Sequence, residues 1–151
     1  MSVPTTIRIQ QSDFDTAAEI AALSAGRTDI GAVVTFCGVC RGGETAALTL
    51  EHYPDMAEAE IARHADIAIA RWPLTGLTII HRVGRILPGE NIVLVVTASA
   101  HRQAAFHAAE FLMDYLKANA PFWKHEDTAG GKQWVEAHAR DDEALTRWDN
   151  S

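Results

Sequence analysis

Residues 91–117 read NIVLVVTASAHRQAAFHAAEFLMDYLK, a strand pattern followed directly by a helix pattern. The first nine residues are mostly apolar and often β-branched, which predicts a strand at the centre of a sheet. From Arg102 to about Asn119 the apolar residues recur every three or four positions, which predicts a helix ended by Pro121. The predicted buried stripe of this helix comprises Ala105, Ala108, Leu112, Tyr115 and Leu116.

The rest of the chain alternates between strand and helix patterns. Further strands are predicted at Thr6–Gln10 (an edge strand), Gly31–Val39 (a buried strand), Leu48–His52, Leu77–Arg82 and Gln133–Ala137. Helices are predicted at Phe14–Ser24 with Asp13 as N-cap, at Met56–Arg71 with Asp55 as N-cap, and at Asp141–Trp148. Several neighbouring strands have no helix between them, so the pattern predicts an α+β fold, in a single domain spanning residues 1–151.

Composition excludes several classes of protein. The 151 residues carry a formal net charge of −7, which argues against a nucleic-acid binder. No apolar run is long enough to span a membrane, and the N-terminus lacks the pattern of a secretory signal, so we expect a cytoplasmic protein. The two cysteines are too few for a disulfide framework.

The lysines are confined to one short region. Lysine occurs only at positions 117, 124 and 132. Lys117 lies at the end of the predicted third helix on the same face as Met113, and Lys124 follows the Pro121 break, where the chain can fold back beside the helix end. Two ammonium groups held close lower each other's pKa, as a lysine acting as base or nucleophile requires. The alternative is that Lys117 complements the helix dipole and Lys124 is an ordinary surface residue.

Two arginines are candidates for holding an anion. His101 and Arg102 open the third helix, where backbone N–H groups and a guanidinium attract negative charge. Arg41 precedes Gly42 and Gly43, which allow a ligand to approach the backbone closely. The alternative for Arg102 is a solvated residue of the first helical turn.

The segment Cys37-Gly38-Val39-Cys40 suggests a redox or zinc motif, but the context does not support one. Residues three apart on a strand point to opposite faces, and no second pair of this kind exists. We therefore interpret both cysteines as buried apolar residues and expect no metal. Glu51, His52 and Tyr53 are likewise interpreted as structural.

A set of segments in order and in register resembles the molybdopterin synthase catalytic (large) subunit family over about residues 4–148. The segments are GAVVTFCGVCR, LTLEHYPDMAE, RWPL, HRVGRILPGE, SAHRQAAF, MDYLK, APFWKHE and WVEA. The resemblance implies an α/β hammerhead fold with a mainly antiparallel sheet flanked by helices, and a homodimer as the core of a heterotetramer. It also implies a partner, a small ubiquitin-like sulfur carrier whose Gly-Gly tail ends in a thiocarboxylate.

The activity implied by the resemblance is sulfur transfer. Two sulfurs from the carrier would convert cyclic pyranopterin monophosphate to molybdopterin, with no cofactor. The family's catalytic lysines fall on Lys117 and Lys124. Further substrate-binding positions fall on Val39, Cys40, Arg41, His101, Arg102, His125 and Glu126, and pocket-lining positions on Phe36, Met113, His138 and Arg140. The chain departs from the family at Val39, where a lysine is common, at Gly42-Gly43, and at His138, where an arginine is common.

The basic residues found in the sequence fit the activity that the family resemblance implies. A thiocarboxylate and a phosphate are both anions, and an acidic protein must hold them in a local basic pocket. Two other functions stay open from the sequence alone. One is a non-catalytic phosphate- or nucleotide-binding module that uses the start of the third helix. The other is a scaffold that binds the sulfur carrier without forming product.

Overall fold

The computed structural model describes residues 3–43, 45–118, 122–128, 131–134 and 144–148. The elements within these residues are β1 (Thr5–Gln10), α1 (Thr16–Ser24), β2 (Ala32–Val39), β3 (Thr45–His52), α2 (Pro54–Arg71), β4 (Leu74–Arg82), β5 (Gly84–Ile86), β6 (Asn91–Ser99), α3 (Arg102–Ala118), β7 (Phe122–Thr128) and β8 (Gly131–Trp134). Residues 144–148 form a helical turn in which the Trp148 N–H donates to the Leu145 carbonyl at 3.1 Å.

The strands form two four-stranded sheets. The first has the order β1-β4-β6-β2 and the second the order β5-β3-β7-β8. Only the β1–β4 pairing is parallel among the described strands, and the other five pairings are antiparallel. This arrangement confirms the predicted α+β class, the edge position of β1 and the central position of β6.

The first sheet is covered on both faces, which explains the unbroken apolar run of β6. Ile79 and Val95 face α2 and α3 and join a cluster with Ile61, Ala108 and Leu112. The opposite face, with Ile80, Leu94 and Val96, is covered by Phe14 before α1 and by Ile20 and Leu23 within it. Central strands buried on two sides lose the alternation of polar and apolar residues that marks a half-exposed strand.

The predicted N-caps of the first two helices are wrong. Asp15, not Asp13, caps α1 and accepts a hydrogen bond from the Ala18 N–H at 3.1 Å. The Asp13 carboxylate accepts instead from the side-chain amide of Asn91 at 2.9 Å, so it bonds a residue that is distant in sequence and does not cap the helix. Helix α2 begins at Pro54 after Tyr53, and Asp55 lies inside its first turn. Proline suits this position because it lacks an N–H that the first turn would leave unpaired.

Strand β2 also differs from the prediction. It is an edge strand, and Val33, Phe36 and Val39 are 38%, 41% and 50% exposed, so it is not buried within this chain. Three-residue β5 is too short to show in the sequence pattern. The last predicted strand is described only as far as Trp134. Residues 135–143 lie outside the described residues, and they include the end of that strand and the first three residues of the predicted terminal helix. No helix in the described part of the chain is long and apolar enough to cross a membrane.

Candidate functional site

Helix α3 runs back across the first sheet, and Lys117 lies in its last turn. Near the helix start, the Thr97 hydroxyl donates to the Ala105 carbonyl at 2.7 Å and ties α3 to β6. Because α3 returns antiparallel to β6 for 17 residues, about 24 Å, its end lies above the beginning of that strand. At this level His81 of β4 is paired with Val93 of β6, and Val93 with Gly38 of β2.

Three aromatic rings join the two sheets at this point, and we call His81, Phe122 and His52 the aromatic stack. The rings of His81 and Phe122 lie nearly parallel, 13° apart, with centroids separated by 4.0 Å. The His52 ring lies 6.0 Å from Phe122 at an angle of 27°. His52 and Phe122 are directly opposed on β3 and β7, so the stack connects the second sheet to β4 of the first.

Both lysines lie beside the aromatic stack. Lys117 is close enough to His81 that its charge disfavours a protonated imidazole. Lys124 follows Phe122 by two residues on β7, so the two side chains share one face of the second sheet. On that face Lys124 is opposite Leu50, which is buried, and the lysine itself is partly buried. Lys117 is therefore near His81, and Lys124 is two residues along β7 from the ring that stacks on His81.

The imidazole of His81 is neutral at physiological pH. The ring is 7% exposed, and this burial lowers the pKa of His81 to about 4, with the nearby Lys117 and His52 acting in the same direction. Nδ1 lies 2.9 Å from the Arg82 carbonyl oxygen. Since a carbonyl can only accept, Nδ1 carries the proton and Nε2 carries none. The second buried histidine, His64, also has a pKa lowered by burial and bonds the Glu60 carbonyl at 2.7 Å.

Phe36 and Met113 flank this region. Phe36 is directly opposite Val95, so its ring lies on the sheet face that α3 covers. A Cβ at Gly38 would lie 2.8 Å from a methyl of Val93 and 3.4 Å from the Phe36 ring, so glycine leaves the space that these two side chains occupy. Met113 is partly buried against the cluster beneath α2 and α3.

Arg41 lies in the loop that follows β2. Backbone bonds at 2.8 Å join Cys40 to Glu90 and to Gly89, and hold the base of this loop. The side chain of Cys40 packs with Leu48, Leu50 and Ile86, and Leu50 is the residue opposite Lys124. The loop thus lies next to the lysine region, with Val39 and Arg41 exposed.

This packing leaves the Cys40 side chain little exposed, and its predicted contact with substrate stays a prediction. Cys40 is 4% exposed, and its backbone N–H and carbonyl are both used inside the protein. The predicted opposite orientation of the two cysteines is confirmed, because Cys37 packs on the α1 side of the first sheet, in a different cluster. Among the described residues, no three His, Cys, Asp or Glu side chains come together as metal ligands.

His101 and Arg102 are separated from the lysines. They lie at the beginning of α3, and 15 residues of helix place them about 22 Å from Lys117. Here they border an open depression of about 700 Å³, together with Gly31, Ala32, Ala100, Gln103, Phe106 and His107. Phe106 is 58% exposed and one turn after Arg102, a spacing that could have identified it from the sequence.

The remaining predicted site residues lie partly or wholly outside the described residues. For His125 and Glu126 the structure describes the backbone in β7, opposite Thr49 and Leu48. His138 and Arg140 fall outside the described residues. Sequence reasoning missed His81 and Phe122, which are 41 positions apart and meet only through the pairing of the sheets.

Comparison with known proteins identifies the family. The MoaE protein family model matches residues 9–119. A molybdopterin synthase catalytic subunit from Mesorhizobium japonicum is 65% identical over 150 residues, covering 97% of this chain and 94% of the relative. A solved structure, the molybdopterin biosynthesis MoaE protein from Burkholderia ambifaria, has a TM-score of 0.84 at 49% identity and covers 97% of this chain and 99% of that one.

A more distant solved structure shares the fold. It is a protein–protein complex of subunits 1 and 2 of molybdopterin-converting factor from Helicobacter pylori, with a TM-score of 0.75 at 22% identity over 86% of this chain and 90% of that one. The close relatives share far more than the fold, since they match this sequence at half or more of its positions over nearly its full length. The chain therefore belongs to the MoaE protein family.

Proposed function

We propose that this chain inserts two sulfurs into cyclic pyranopterin monophosphate and so forms molybdopterin in the cytoplasm. The sulfur would come from the thiocarboxylated Gly-Gly end of a small ubiquitin-like carrier. The observation that supports this proposal is that Lys117 lies near His81 while Lys124 lies two residues from Phe122, the ring stacked on His81, in a protein of net charge −7. Both reactants are anions, and a local pair of amines attracts them where the rest of the molecule does not.

Lys117 is the principal catalytic residue in this proposal. The thiocarboxylate sulfur forms the new carbon–sulfur bond with a side-chain carbon of the pterin, while a carbon–oxygen bond at that carbon breaks and its oxygen leaves as water or with the opened cyclic phosphate. The bond between that sulfur and the carrier's terminal carbonyl carbon then breaks, and the acyl group passes to water or to the neutral amine of Lys117. Lys124 assists proton transfer and holds the negatively charged intermediate.

The substrate's phosphate and pterin require further groups, and these come from two copies of the chain. In this proposal Arg41, Val39, Phe36 and Met113 act with the lysines of their own copy. His101 and Arg102 are about 22 Å from Lys117 along α3, farther than a substrate of this size extends. In a homodimer, His101 and Arg102 of one copy complete the site of the other, and the exposed apolar side chains of β2 give such a dimer a surface to bury. We place His125, Glu126, His138 and Arg140 at the same site on the family resemblance.

A reconstituted reaction tests the proposal. Purified protein, thiocarboxylated carrier and precursor are mixed, and dithiolene product is measured. We expect product with the wild-type chain, a loss of at least about 100-fold with Lys117→Ala, and a smaller loss with Lys124→Ala. Lys132→Ala, which removes the third lysine, is the matched control and should retain wild-type turnover. Wild-type turnover by Lys117→Ala would refute the proposal, and carrier binding without product would make the chain a scaffold.

A further inference from the structure

We propose that His81 is a positioning residue for sulfur transfer, because its ring holds Phe122 in the aromatic stack and thereby sets the position of Lys124 relative to Lys117. The inference rests on the proposed function and adds a residue that does not itself touch the substrate. Three observations support it: the geometry of the stack, the fixed tautomer of His81, and the position of Phe122 on β7.

The stack joins β4 to the strand that bears Lys124, and Phe122 also packs against the apolar cluster beneath α2 and α3. The nearly parallel ring planes of His81 and Phe122, with centroids 4.0 Å apart, are in full contact. Lys124 is two residues from Phe122 on the same face of β7, about 7 Å along the strand. A change in the Phe122 position therefore moves the base of the Lys124 side chain by a similar amount.

His81 is itself rigidly held. Its Nδ1–H donates to the carbonyl of Arg82 at 2.9 Å, which fixes the ring relative to β4. β4 is an inner strand of the first sheet, paired with β1 on one side and β6 on the other. Because the His81 ring is fixed to an inner strand, it holds β7 of the second sheet in position more rigidly than a flexible aliphatic side chain would.

Neutrality of the ring also matters for Lys117. A protonated imidazole would place a third positive charge beside the two amines. Burial lowers the pKa of His81 to about 4, so this charge is absent at neutral pH. Among the described residues, the groups found to act on or stack against His81 are Phe122 of β7, His52 of β3 and Lys117 of α3, and none of these three carries a negative charge that would favour protonation.

The test compares two substitutions at position 81 with a matched control. His81→Phe keeps a flat ring for Phe122, and His81→Leu keeps apolar volume without one. His64→Leu removes the other histidine that is buried among the described residues; it bonds a backbone carbonyl in the same way but packs on Tyr115, with ring centroids 4.1 Å apart. Turnover and KM for carrier and precursor are measured in the reconstituted reaction, after a cooperative thermal unfolding transition has shown that each variant is folded.

We expect His81→Leu to lower kcat by about 10- to 100-fold with KM changed less than about twofold, since displacement of a catalytic group by an ångström has effects of this size. His81→Phe should restore most of kcat, and His64→Leu should leave kcat near wild type. The inference is overturned if His81→Leu turns over normally, if His81→Phe is as impaired as His81→Leu, or if His64→Leu loses as much kcat.

Amide hydrogen exchange of residues 122–128 gives a second readout that needs no turnover. His81→Leu should speed exchange in β7, and His81→Phe should not. If the wild-type chain forms no product, the proposed function fails, while this measurement still decides whether His81 holds β7. Unchanged exchange in His81→Leu would overturn the inference independently.

Discussion

Acidification should destabilise this protein through His81 by an amount that the structure allows us to work out. In the unfolded chain His81 binds a proton below its ordinary pKa of 6.5, whereas in the folded protein it does so only below about 4. Between these values the proton binds the unfolded state preferentially. His81 therefore contributes stability that is present above pH 6.5 and is lost as the pH falls towards 4, in total about 3 kcal/mol.

The His81→Phe variant isolates this contribution. Phenylalanine can keep the contact with Phe122 but cannot titrate, and effects of His64 and of the carboxyl groups are common to both proteins and cancel. Between pH 7.5 and pH 4.5 we expect the wild type to lose about 2 to 3 kcal/mol more than the variant. With an ordinary urea dependence for a chain of this length, the extra shift of the unfolding midpoint is about 1 M.

Urea unfolding followed by tryptophan fluorescence measures this difference. Protein concentration is held fixed at every pH, because dimerisation would make the apparent stability depend on concentration. If the two proteins lose stability in parallel to within about 0.5 kcal/mol, or if the His81 resonance titrates near 6.5 by NMR, the reasoning about its burial is wrong.

Three further substitutions probe the fold through the free energy of unfolding in urea. Asp15→Ala removes the N-cap bond to Ala18 and should cost about 1 kcal/mol, and an unchanged midpoint would show that the cap is not formed in solution. Gly31→Ala should cost about 3 kcal/mol or prevent folding, because the new Cβ would lie 2.1 Å from the Ala100 carbonyl oxygen; a stable variant would contradict this approach. Trp148→Ala should cost about 2 to 4 kcal/mol. The indole packs edge-on against the rings of Trp72 and Phe111 and donates to the Asp114 carboxylate at 2.6 Å. A loss below about 0.5 kcal/mol would mean that the terminal turn does not pack against α3.

The sequence predicted those parts of the fold that depend on local periodicity. The apolar run of β6 and the apolar stripe of α3 were sufficient to predict these two elements, because each of them buries its apolar side chains within its own chain. The prediction for β2 was wrong for an instructive reason. A β-branched run shows that a strand avoids water, but not whether its own chain covers it, and Phe36 and Val39 remain exposed.

Long-range contacts account for the other differences. Two aspartates precede α1, and local rules cannot tell which of them caps it, because Asp13 is engaged by Asn91, 78 positions along the chain. In the site, lysine placement and helix period identified Lys117 and Lys124 as candidates. The aromatic stack could not be predicted, since the register of β3 with β7 decides that His52 and Phe122 are opposed and that His81 meets them.

One consequence of the position of Lys117 and Arg102 at opposite ends of α3 concerns mixed oligomers. In the proposed dimer each helix serves two different sites, one at each end. Lys117→Ala and Arg102→Ala chains would each be inactive alone, yet a hybrid of the two has one site with both groups intact. Unfolding and refolding an equal mixture should therefore recover about a quarter of wild-type activity, because about half of randomly assembled dimers are hybrids. Such intersubunit complementation would not occur if each copy formed its site alone.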